Sequence, residues 1–169
     1  MITLIAVVGP DNCLGADGKL LYSLRDDMRH FKEYTLGHPI IMGRKTYESF
    51  PGGPLPGRTN IVITRQEDYK VPDGVIVVSS VQEAIKAATT ANGSENIMVI
   101  GGGEIYRQMM PYATDLELTE VLSSPSVAPD TYFPIIDKTC WKQTSSTPIA
   151  IDSRSALPYL FTHYHRIQG

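Results

Sequence analysis

The sequence has few of the features that mark metal-binding, secreted or nucleic-acid-binding proteins. Its 169 residues include two cysteines, Cys13 and Cys140, which lie far apart and form neither a CxxC motif nor another metal-binding spacing. We therefore expect free thiols, a reducing compartment such as the cytoplasm, and no metal site. The formal net charge is −3 at pH 7, so there is no basic excess to indicate a nucleic-acid partner.

Long apolar runs are missing as well. The apolar run at residues 2–8 is too short to span a membrane, and no basic segment precedes it, so we expect neither a membrane anchor nor a signal peptide. The chain has no GxSxG motif, and neither cysteine has an obvious histidine partner, which argues against nucleophilic catalysis. With 42% hydrophobic and 20% charged residues, residues 1–169 are predicted to form one globular domain.

Strand-like and helix-like segments alternate along the chain before strands alone follow. The predicted strands are 2–8, 39–42, 60–64, 75–78, 96–100, 116–121, 141–147 and 159–167, and the predicted helices are 24–35, 44–50, 81–90 and 104–110. This order predicts an α/β fold: a mostly parallel, twisted central sheet of about eight strands, with an antiparallel C-terminal edge and four flanking helices. Ligands of such sheets bind beyond the carboxyl ends of the strands.

The first predicted helix places a carboxylate beside its apolar stripe. The stripe consists of Leu24, Met28, Phe31 and Thr35, and the opposite, solvated face of Asp26, Arg29, His30 and Glu33. Asp27 lies at the edge of the stripe, so we expect it to face inward while Asp26 faces water. A half-buried carboxylate needs a partner or a raised pKa. Asp27 could be satisfied by the helix N-terminus, pair with an internal Arg or Lys, or face a pocket and bind a cationic ligand with several donors.

Glycines and basic residues follow several of the predicted strands. The segment Gly43-Arg44-Lys45-Thr46 and the residue Arg65 each follow a strand, and residues 101–103 are a run of three glycines. The glycine run is neither the dinucleotide-binding fingerprint nor a P-loop, and a tight strand–helix turn is its simplest interpretation. Together, however, these residues indicate a ligand with several phosphates, such as a dinucleotide with an extra 2′-phosphate.

Two further features concern loops and histidines. The Gly- and Asp-rich segment 9–19 is predicted to be a long loop that serves as a lid, because it leads directly into the Asp27 helix. His163 and His165 share one face of a predicted strand, where an exposed edge is favoured over a metal pair. His30 and His38 are predicted to lie on the surface.

A set of ordered motifs resembles the dihydrofolate reductase family over nearly the whole chain. The motifs are Ile5-Ala6, Asp27 with Phe31, IMGRKTYES at 41–49, PLPGR at 54–58, IGGGEIY at 100–106, Leu118-Thr119 and DTYFP at 130–134. The resemblance implies an enzyme that reduces 7,8-dihydrofolate to 5,6,7,8-tetrahydrofolate with NADPH and so supplies one-carbon metabolism. It also implies binding of folate analogues and antifolate inhibitors. We expect a monomer that binds neither nucleic acid nor membranes.

The resemblance also implies roles for individual residues. In the reaction it implicates Asp27, Leu20, Tyr22, Tyr106 and Thr119. For the substrate it implicates Ile5, Ala6, Asp27, Met28, Phe31, Lys32, Phe50, Leu55, Arg58, Ile100 and Thr119. For the cofactor it implicates Ala6, Val7, Leu14, Gly15, Gly18, Lys19, Gly43, Arg44, Lys45, Thr46, Ile63, Thr64, Arg65, Ile100, Gly101, Gly102, Gly103, Glu104, Ile105, Tyr106, Gln108 and Thr131. Residues 9–24 would form the mobile lid.

Three positions depart from the common family pattern. Leu21-Tyr22 stands where many members have Pro-Trp, residues 51–53 look one residue longer than in some bacterial members, and Glu104 puts an acid where some relatives place a cation. Two alternatives stay open: a riboflavin-pathway reductase of the same general fold, and a non-catalytic nucleotide-binding protein. The first should lack the combination of Asp27, Phe31 and Arg58, and the second should bind NADPH without turnover.

Overall fold

A computed structural model describes residues 1–168 of the chain. Within this range there are four α-helices, α1 (Arg25–Thr35), α2 (Arg44–Glu48), α3 (Val81–Thr89) and α4 (Gly103–Met109). The strands are β1 (Ile2–Val8), β2 (Cys13–Ala16), β3 (Lys19–Leu20), β4 (Ile40–Gly43), β5 (Asn60–Ile63), β6 (Ile76–Val78), β7 (Ile97–Val99), β8 (Asp115–Val121), β9 (Thr131–Tyr132), β10 (Trp141–Ser146), β11 (Ala150–Ile151) and β12 (Pro158–Arg166). No helix in the described range is long and apolar enough to cross a membrane.

The main sheet confirms the predicted architecture. Its strands follow the order β10-β12-β8-β1-β7-β4-β5-β6, and β11 pairs with β12 outside this path. The pairs from β8 through β1, β7, β4 and β5 to β6 are parallel, whereas β12 runs antiparallel to β8, β10 and β11. The late strands therefore form the predicted antiparallel edge, because they follow one another without an intervening helix.

The parallel strands carry apolar runs because both of their faces are buried. Alternate side chains of β4 point to opposite sides, so that Ile41 joins one apolar cluster while Ile40 and Met42 join another. The cluster of Ile41 packs beneath α3 and α4 and includes Ala84 and Met109. The cluster of Ile40 and Met42 lies on the other face and includes Ile5 and Ile100.

The predicted lid loop contains more regular structure than its sequence indicates. A short 3-10 turn, Pro10–Asn12, leads into β2, which pairs with β3 and also with β9 in a separate three-stranded sheet. The prediction of an irregular loop at 9–19 was therefore wrong. Strands of two residues, such as β3 and β9, are too short to produce a periodic pattern.

Strand β8 is buried along almost its whole length. All of its residues except Glu120 are buried, because β1 and β12 pair with it on both sides and its polar side chains find partners within the fold. Its even-numbered Leu116 and Leu118 enter the core cluster, while Asp115 and Glu117 are buried polar residues on the other face. Strand β8 thus carries charged groups into the interior next to α1.

Candidate functional site

The carboxyl ends of β4 and β7 meet at a glycine-rich junction. The backbone N–H of Gly43 donates to the carbonyl of Gly101 at 2.9 Å, and the peptide bond between Gly101 and Gly102 is cis. Gly101 has a φ of +107°, a conformation that side-chain-bearing residues rarely adopt. A Cβ on Gly103 would lie 2.6 Å from the Cγ2 of Thr131. The glycines therefore permit this close approach of backbone segments.

Asp27 lies in the first turn of α1 and faces into the fold, as predicted. The hydroxyl of Thr119, on β8, donates to its Oδ1 at 2.6 Å. Burial raises the pKa of Asp27 above its ordinary value, although the Thr119 hydrogen bond and the charge of His30 oppose this effect. Within the described residues no Lys or Arg forms an ion pair with Asp27, so an internal basic partner does not explain its position. The helix N-terminus and a pocket for a ligand are the explanations that stay open.

His30 is not a surface residue, contrary to the prediction from the helical pattern. Its Nε2 lies 2.9 Å from Oε2 of Glu117, and its ring stacks on Phe161 with centroids 3.8 Å apart. The helical period of α1 placed His30 on the polar face, where Arg29 and Glu33 are indeed exposed, but His30 itself packs against β8 and β12. His30 thereby connects the Asp27 helix to the buried carboxylate of Glu117.

His163 was also misplaced by the prediction of an exposed edge strand. Strand β12 lies between β8 and β10, so His163 is inside the sheet, with Nδ1 2.7 Å from Glu117 Oε1 and Nε2 2.7 Å from Asp115 Oδ2. Both ring nitrogens face carboxylates, so we expect both to carry protons and the ring to be an imidazolium. The hydrogen bonds to Glu117 and Asp115 raise its pKa, although burial opposes them.

The carboxylates around His163 are held in their charged forms. Burial alone would raise the pKa of Glu117, but hydrogen bonds from His163 and His30 hold it below its usual range. Burial likewise opposes ionisation of Asp115, whose pKa is nevertheless lowered by hydrogen bonds, that of His163 being the strongest. The described residues contain no cluster of His, Cys, Asp and Glu arranged to hold a metal ion. His163 and His165 instead belong to a network of ion pairs with Asp115 and Glu117.

An apolar cluster, which we call the slot, packs against Phe31, one turn after Asp27 on α1. Ile5 and Ile100 are buried in one cluster, and Phe31, Phe50 and Leu55 pack against it at the surface of the cleft. The structure therefore brings together five of the side chains that the family resemblance implicates in substrate binding. Ala6 is buried on β1, in the core cluster on the opposite face of the sheet.

Two other implicated side chains do not join this cluster. Met28 is 61% exposed and Leu20 is 76% exposed, so the apolar stripe predicted for α1 is wrong at Met28. Lys32, one turn further along α1, is exposed too. Side chains at the rim of a cleft face water, which the helical period alone does not indicate.

Arg58 lies at the far end of the slot. Its Nε donates to the carbonyl of Pro56 at 2.9 Å, and its Nη1 donates to the hydroxyl of Thr35 at 3.0 Å. Burial lowers the pKa of Arg58. Within residues 1–168 no carboxylate forms an ion pair with it, so its guanidinium is fixed by neutral acceptors near the C-terminal end of α1.

A second groove lies across the carboxyl ends of β5 and β6. It is lined by Ile63, Thr64, Arg65, Ser79, Ser80, Val81, Gln82, Glu104, Ile105 and Gln108. The implicated basic residues surround the same region: Lys45 and Arg65 are exposed, and Arg44 forms an ion pair with Glu48 at 2.9 Å. Ser79 and Gln82 also line the groove, although the family resemblance does not implicate them. They lie on either side of the start of α3, whose N-cap residue is Ser80.

Glu104 opposes the basic residues of this groove only weakly. Arg107 and Gln108 both donate hydrogen bonds to its carboxylate. The Arg107 hydrogen bond is the main cause of the lowered pKa of Glu104, and the charge of Arg65 also contributes. The acid is therefore neutralised by cations within its own surroundings.

Tyr106 ties the glycine junction to the first strand. Its hydroxyl donates to the carbonyl of Ile5 at 2.6 Å, and a Cβ on Gly101 would lie 3.0 Å from its ring. Burial, together with the nearby charge of Asp27, raises the pKa of Tyr106, so its hydroxyl stays protonated. Tyr106 thus links the two sides of the cleft between Asp27 and the glycine run.

The lid segment is attached at several points. The backbone N–H of Asp130 donates to the carbonyl of Gly15, and the N–H of Asp17 donates to the Asp130 carboxylate at 2.9 Å. Leu14 is buried in the core, whereas Gly18 and Lys19 are exposed at the tip and Val7 is half-buried on β1. The β2–β9 pairing places Gly15 opposite Thr131.

Tyr22 fixes the other end of the lid. Its hydroxyl donates to the carbonyl of Ser123 at 2.7 Å and lies 3.9 Å from the thiol of Cys13. Burial and the Cys13 thiol raise the pKa of Tyr22 to about 12. The sequence departs from the family pattern here, and the structure shows that this phenol is used to hold the lid to the segment after β8.

Comparisons with known proteins agree with this geometry. The family model "Dihydrofolate reductase" matches residues 1–166. The chain is 45% identical over 165 residues to a dihydrofolate reductase from Neisseria meningitidis serogroup A, and 39% identical over 169 residues to one from Mycobacterium tuberculosis, in both cases covering 98% of each chain. A solved dihydrofolate reductase from Enterococcus faecalis, complexed with NADP(H) and RAB-propyl, superposes with a TM-score of 0.87 at 30% identity, covering 99% of this chain and 97% of that one.

Proposed function

Because the chain belongs to the dihydrofolate reductase family and catalyses the NADPH-dependent reduction of 7,8-dihydrofolate to tetrahydrofolate, we propose that Asp27 anchors the pterin of the substrate. The 2-amino group and N3 of a pterin form a planar edge of donors, which suits a carboxylate. Thr119 already occupies Oδ1 and so orients the carboxylate. The single observation that carries this role is a half-buried Asp27 without a basic partner in the described residues, at the mouth of an apolar slot.

The slot and Arg58 are matched to the rest of the substrate. Phe31, Phe50 and Leu55 offer apolar contacts to the aminobenzoyl arm, and Arg58 lies beyond them. Its guanidinium is held by Pro56 and Thr35, which leaves it oriented for a bidentate pair with the α-carboxylate of the glutamate tail. The same slot accommodates folate analogues and antifolate inhibitors.

The second groove and the glycine junction fit NADPH. Gly43 and Gly102 are the N-caps of α2 and α4, and neither supplies a side-chain oxygen to the helix that it starts. The backbone N–H groups there suit a pyrophosphate, for which Thr46 lies close to Gly102. Arg44, Lys45, Thr64 and Arg65 would hold the adenosine end and its 2′-phosphate. The Enterococcus faecalis relative is complexed with NADP(H), which supports this assignment.

When bound, NADPH supplies a hydride from C4 of its nicotinamide to C6 of dihydrofolate. The chain contributes alignment: Asp27 and Thr119 fix the pterin, while Tyr106 and the glycine junction shape the cleft on the other side. No side chain in the described residues stands out as a proton donor to N5 of the substrate. We assign this proton to a water molecule admitted by the lid, with Asp27 favouring protonation electrostatically.

The finer statements on assembly and location are also proposals. The outer strand β10 carries the polar sequence KQTSS at 142–146, all of it exposed, which offers a second copy little apolar surface. A monomer is therefore proposed, with sedimentation at micromolar concentration as its test. The two free cysteines are compatible with the cytoplasm.

The experiment follows NADPH absorbance after dihydrofolate is added to the purified protein. Loss of absorbance that requires both compounds, and that falls by about two orders of magnitude or more in Asp27→Asn at neutral pH, is the expected result. Glu33→Gln is the matched control, because Glu33 is an exposed acid on the polar face of the same helix and its loss should leave turnover nearly unchanged. Near-normal turnover in Asp27→Asn would show that Asp27 has no essential role in the reaction. NADPH binding without turnover in the unmodified protein would favour the non-catalytic alternative.

A further inference from the structure

Helix α1 begins without a capping side chain of its own. Its N-cap residue is Leu24, which has extended backbone angles and a side chain without an oxygen atom. The first backbone N–H groups of a helix have no acceptor within the helix, and Ser, Thr, Asp or Asn at the N-cap normally accepts from the second or third of them. The helix that carries Asp27 therefore depends on an acceptor from elsewhere.

Asp152 supplies this acceptor from the segment between β11 and β12. Its Oδ1 accepts the backbone N–H of Asp26 at 2.9 Å, and Asp26 is the second residue of α1. This is the N–H group that a local N-cap side chain would bond. Asp152 is 2% exposed, so it is a buried charge whose position in the fold is otherwise costly.

The other oxygen of Asp152 is fixed by its own turn. Oδ2 accepts from the backbone N–H of Ser155 at 2.8 Å, from the Ser155 hydroxyl at 2.8 Å, and from the N–H of Arg154 at 3.2 Å. These hydrogen bonds hold the pKa of Asp152 far below its usual range despite its burial. The carboxylate therefore stays ionised, which favours it at the positive end of a helix.

Neighbouring contacts bring the two segments together at further points. The Ser153 hydroxyl and the Tyr159 hydroxyl donate to the two oxygens of Asp26 at 2.8 Å and 2.7 Å, and the Arg154 guanidinium donates to the Ser23 hydroxyl at 2.9 Å. All of these contacts fall on residues 23–26, directly before Asp27. The segment around Asp152 thus fixes the start of α1 and leaves the Asp27 carboxylate facing the cleft.

We propose that Asp152 is a positioning residue of the reaction, which caps α1 across the fold and thereby holds the Asp27 carboxylate at its place beside Thr119. Asp152 touches neither substrate nor cofactor and acts through the first turn of the helix. The inference rests on the proposed role of Asp27 as the pterin anchor. It predicts that, when α1 lacks its cap, pterin binding must first re-form the first turn of the helix. The affinity for the pterin therefore falls, while the affinity for NADPH does not.

Charged groups on every neighbouring element bear on this arrangement. Asp152 is surrounded by Asp26 on α1, Arg154 on the capping segment and Tyr159 on β12. The charges of His30 and of Asp152 itself act on Asp27. The charge of Asp152 raises the pKa of Asp27, so neutralising it should move the pH profile of turnover to lower pH. A variant that removes the charge and keeps the cap is therefore needed to separate the two effects.

Three variants test the proposal, each assayed for the dissociation constants of folic acid and NADPH and for amide hydrogen exchange in the first turn of α1. Asp152→Ala removes cap and charge, and should weaken folic acid roughly tenfold, leave NADPH within about twofold, and speed exchange at Asp26. Asp152→Asn keeps a capping oxygen but turns an NH2 group, which cannot accept, toward the donors of Arg154 and Ser155. It should therefore lower thermal stability but retain most of the folic acid affinity, with the pH profile of turnover displaced to lower pH. Ser155→Ala loosens the same turn at the other oxygen and should lower thermal stability without changing either dissociation constant.

The outcomes separate the inference from the role of Asp27. Unchanged exchange in Asp152→Ala, or an equal loss of folic acid affinity in Ser155→Ala or Asp152→Asn, would overturn the proposal. If Asp152→Ala does not fold, Asp152→Glu replaces it: this variant keeps the charge but misplaces the oxygen, and affinity equal to that of Asp152→Asn would overturn the proposal. Folic acid affinity that survives Asp27→Asn would refute the Asp27 role itself, whereas loss there with normal affinity in Asp152→Ala refutes only the cap.

Discussion

Replacing His163 by Gln should lower the free energy of unfolding more than any surface substitution does, because it removes the cation between two buried carboxylates. Side chains of Glu117 and Asp115 are 3% and 5% exposed, and that of His163 is 23% exposed. Both of its hydrogen bonds are 2.7 Å long and join opposite charges. Hydrogen bonds to charged groups contribute about 1.5–3 kcal/mol each, and breaking a buried ion pair costs about 3–5 kcal/mol.

The expected loss for His163→Gln is about 3 kcal/mol, near the lower end of that range. Two facts reduce it: water reaches part of the imidazole, and each carboxylate keeps a second histidine, His30 for Glu117 and His165 for Asp115. The assay is urea unfolding followed by circular dichroism, with the slope of the transition compared to establish that the denatured state is unchanged. His165→Gln is the matched control, because its side chain is 54% exposed and makes one 3.2 Å contact, and it should cost less than about 1 kcal/mol.

The pH dependence provides the sharper check. The folded-state pKa of His163 is raised above 6.5, so its contribution is fully present below pH 6.5 and is lost as pH rises through the folded pKa. Glu117 and Asp115 have lowered pKa values, so their contribution is present above their ordinary values of 4.5 and 3.8 and is lost as pH falls through the folded ones. The difference in stability between wild type and His163→Gln should therefore be largest near pH 6 and shrink toward alkaline pH. A difference below about 1 kcal/mol, or one that is constant from about pH 6 to 9, would refute the imidazolium assignment.

Three further changes follow from single contacts in the cleft. Thr119→Val removes the donor to Asp27 Oδ1 and so disfavours the charged carboxylate, which should move the pH profile of turnover upward; an unmoved profile would show that the hydrogen bond does not tune Asp27. Gly103→Ala should lower the unfolding free energy by about 1–3 kcal/mol through collision with Thr131, and adding Thr131→Ser, which lacks the colliding methyl group, should restore most of it in thermal unfolding. Arg58→Lys keeps the charge and loses the paired geometry, so steady-state kinetics should show KM for dihydrofolate rising roughly tenfold with kcat retained.

The main sheet could be predicted from the sequence because its parallel strands are buried on both faces. Such strands need continuous apolar runs, and the runs of β1, β4, β5 and β7 stand out between helices of a different period. The strand ends then located Gly43 and the glycine run at the edge where α/β sheets bind ligands. The inward orientation of Asp27 was predicted from its place at the edge of an apolar stripe.

Contacts between segments that are far apart in the sequence could not be predicted from local patterns. His30 lies at a helical position that is typical of a solvated residue. Only its contacts with Glu117 and Phe161 cover most of its side chain. Exposure at Met28 was missed for the opposite reason, because an apolar stripe does not reveal that part of it lines an open cleft. The acceptor for the start of α1 was missed too, since local capping rules search the residues around Leu24 and not those around Asp152.

The distance along the chain between α1 and its partners has a consequence for protein synthesis. Thr119 lies 92 positions after Asp27, and Asp152 lies 126 positions after Asp26. At ordinary translation rates of about 5–20 residues per second, a ribosome needs roughly 6 to 25 seconds to reach Asp152 after it has made Asp26. During this interval the nascent chain holds the Asp27 carboxylate on a helix whose stabilising partners have not been made. A chain that ends before Asp152 lacks β12 as well as the cap of α1, so we expect it to be inactive and sensitive to proteases.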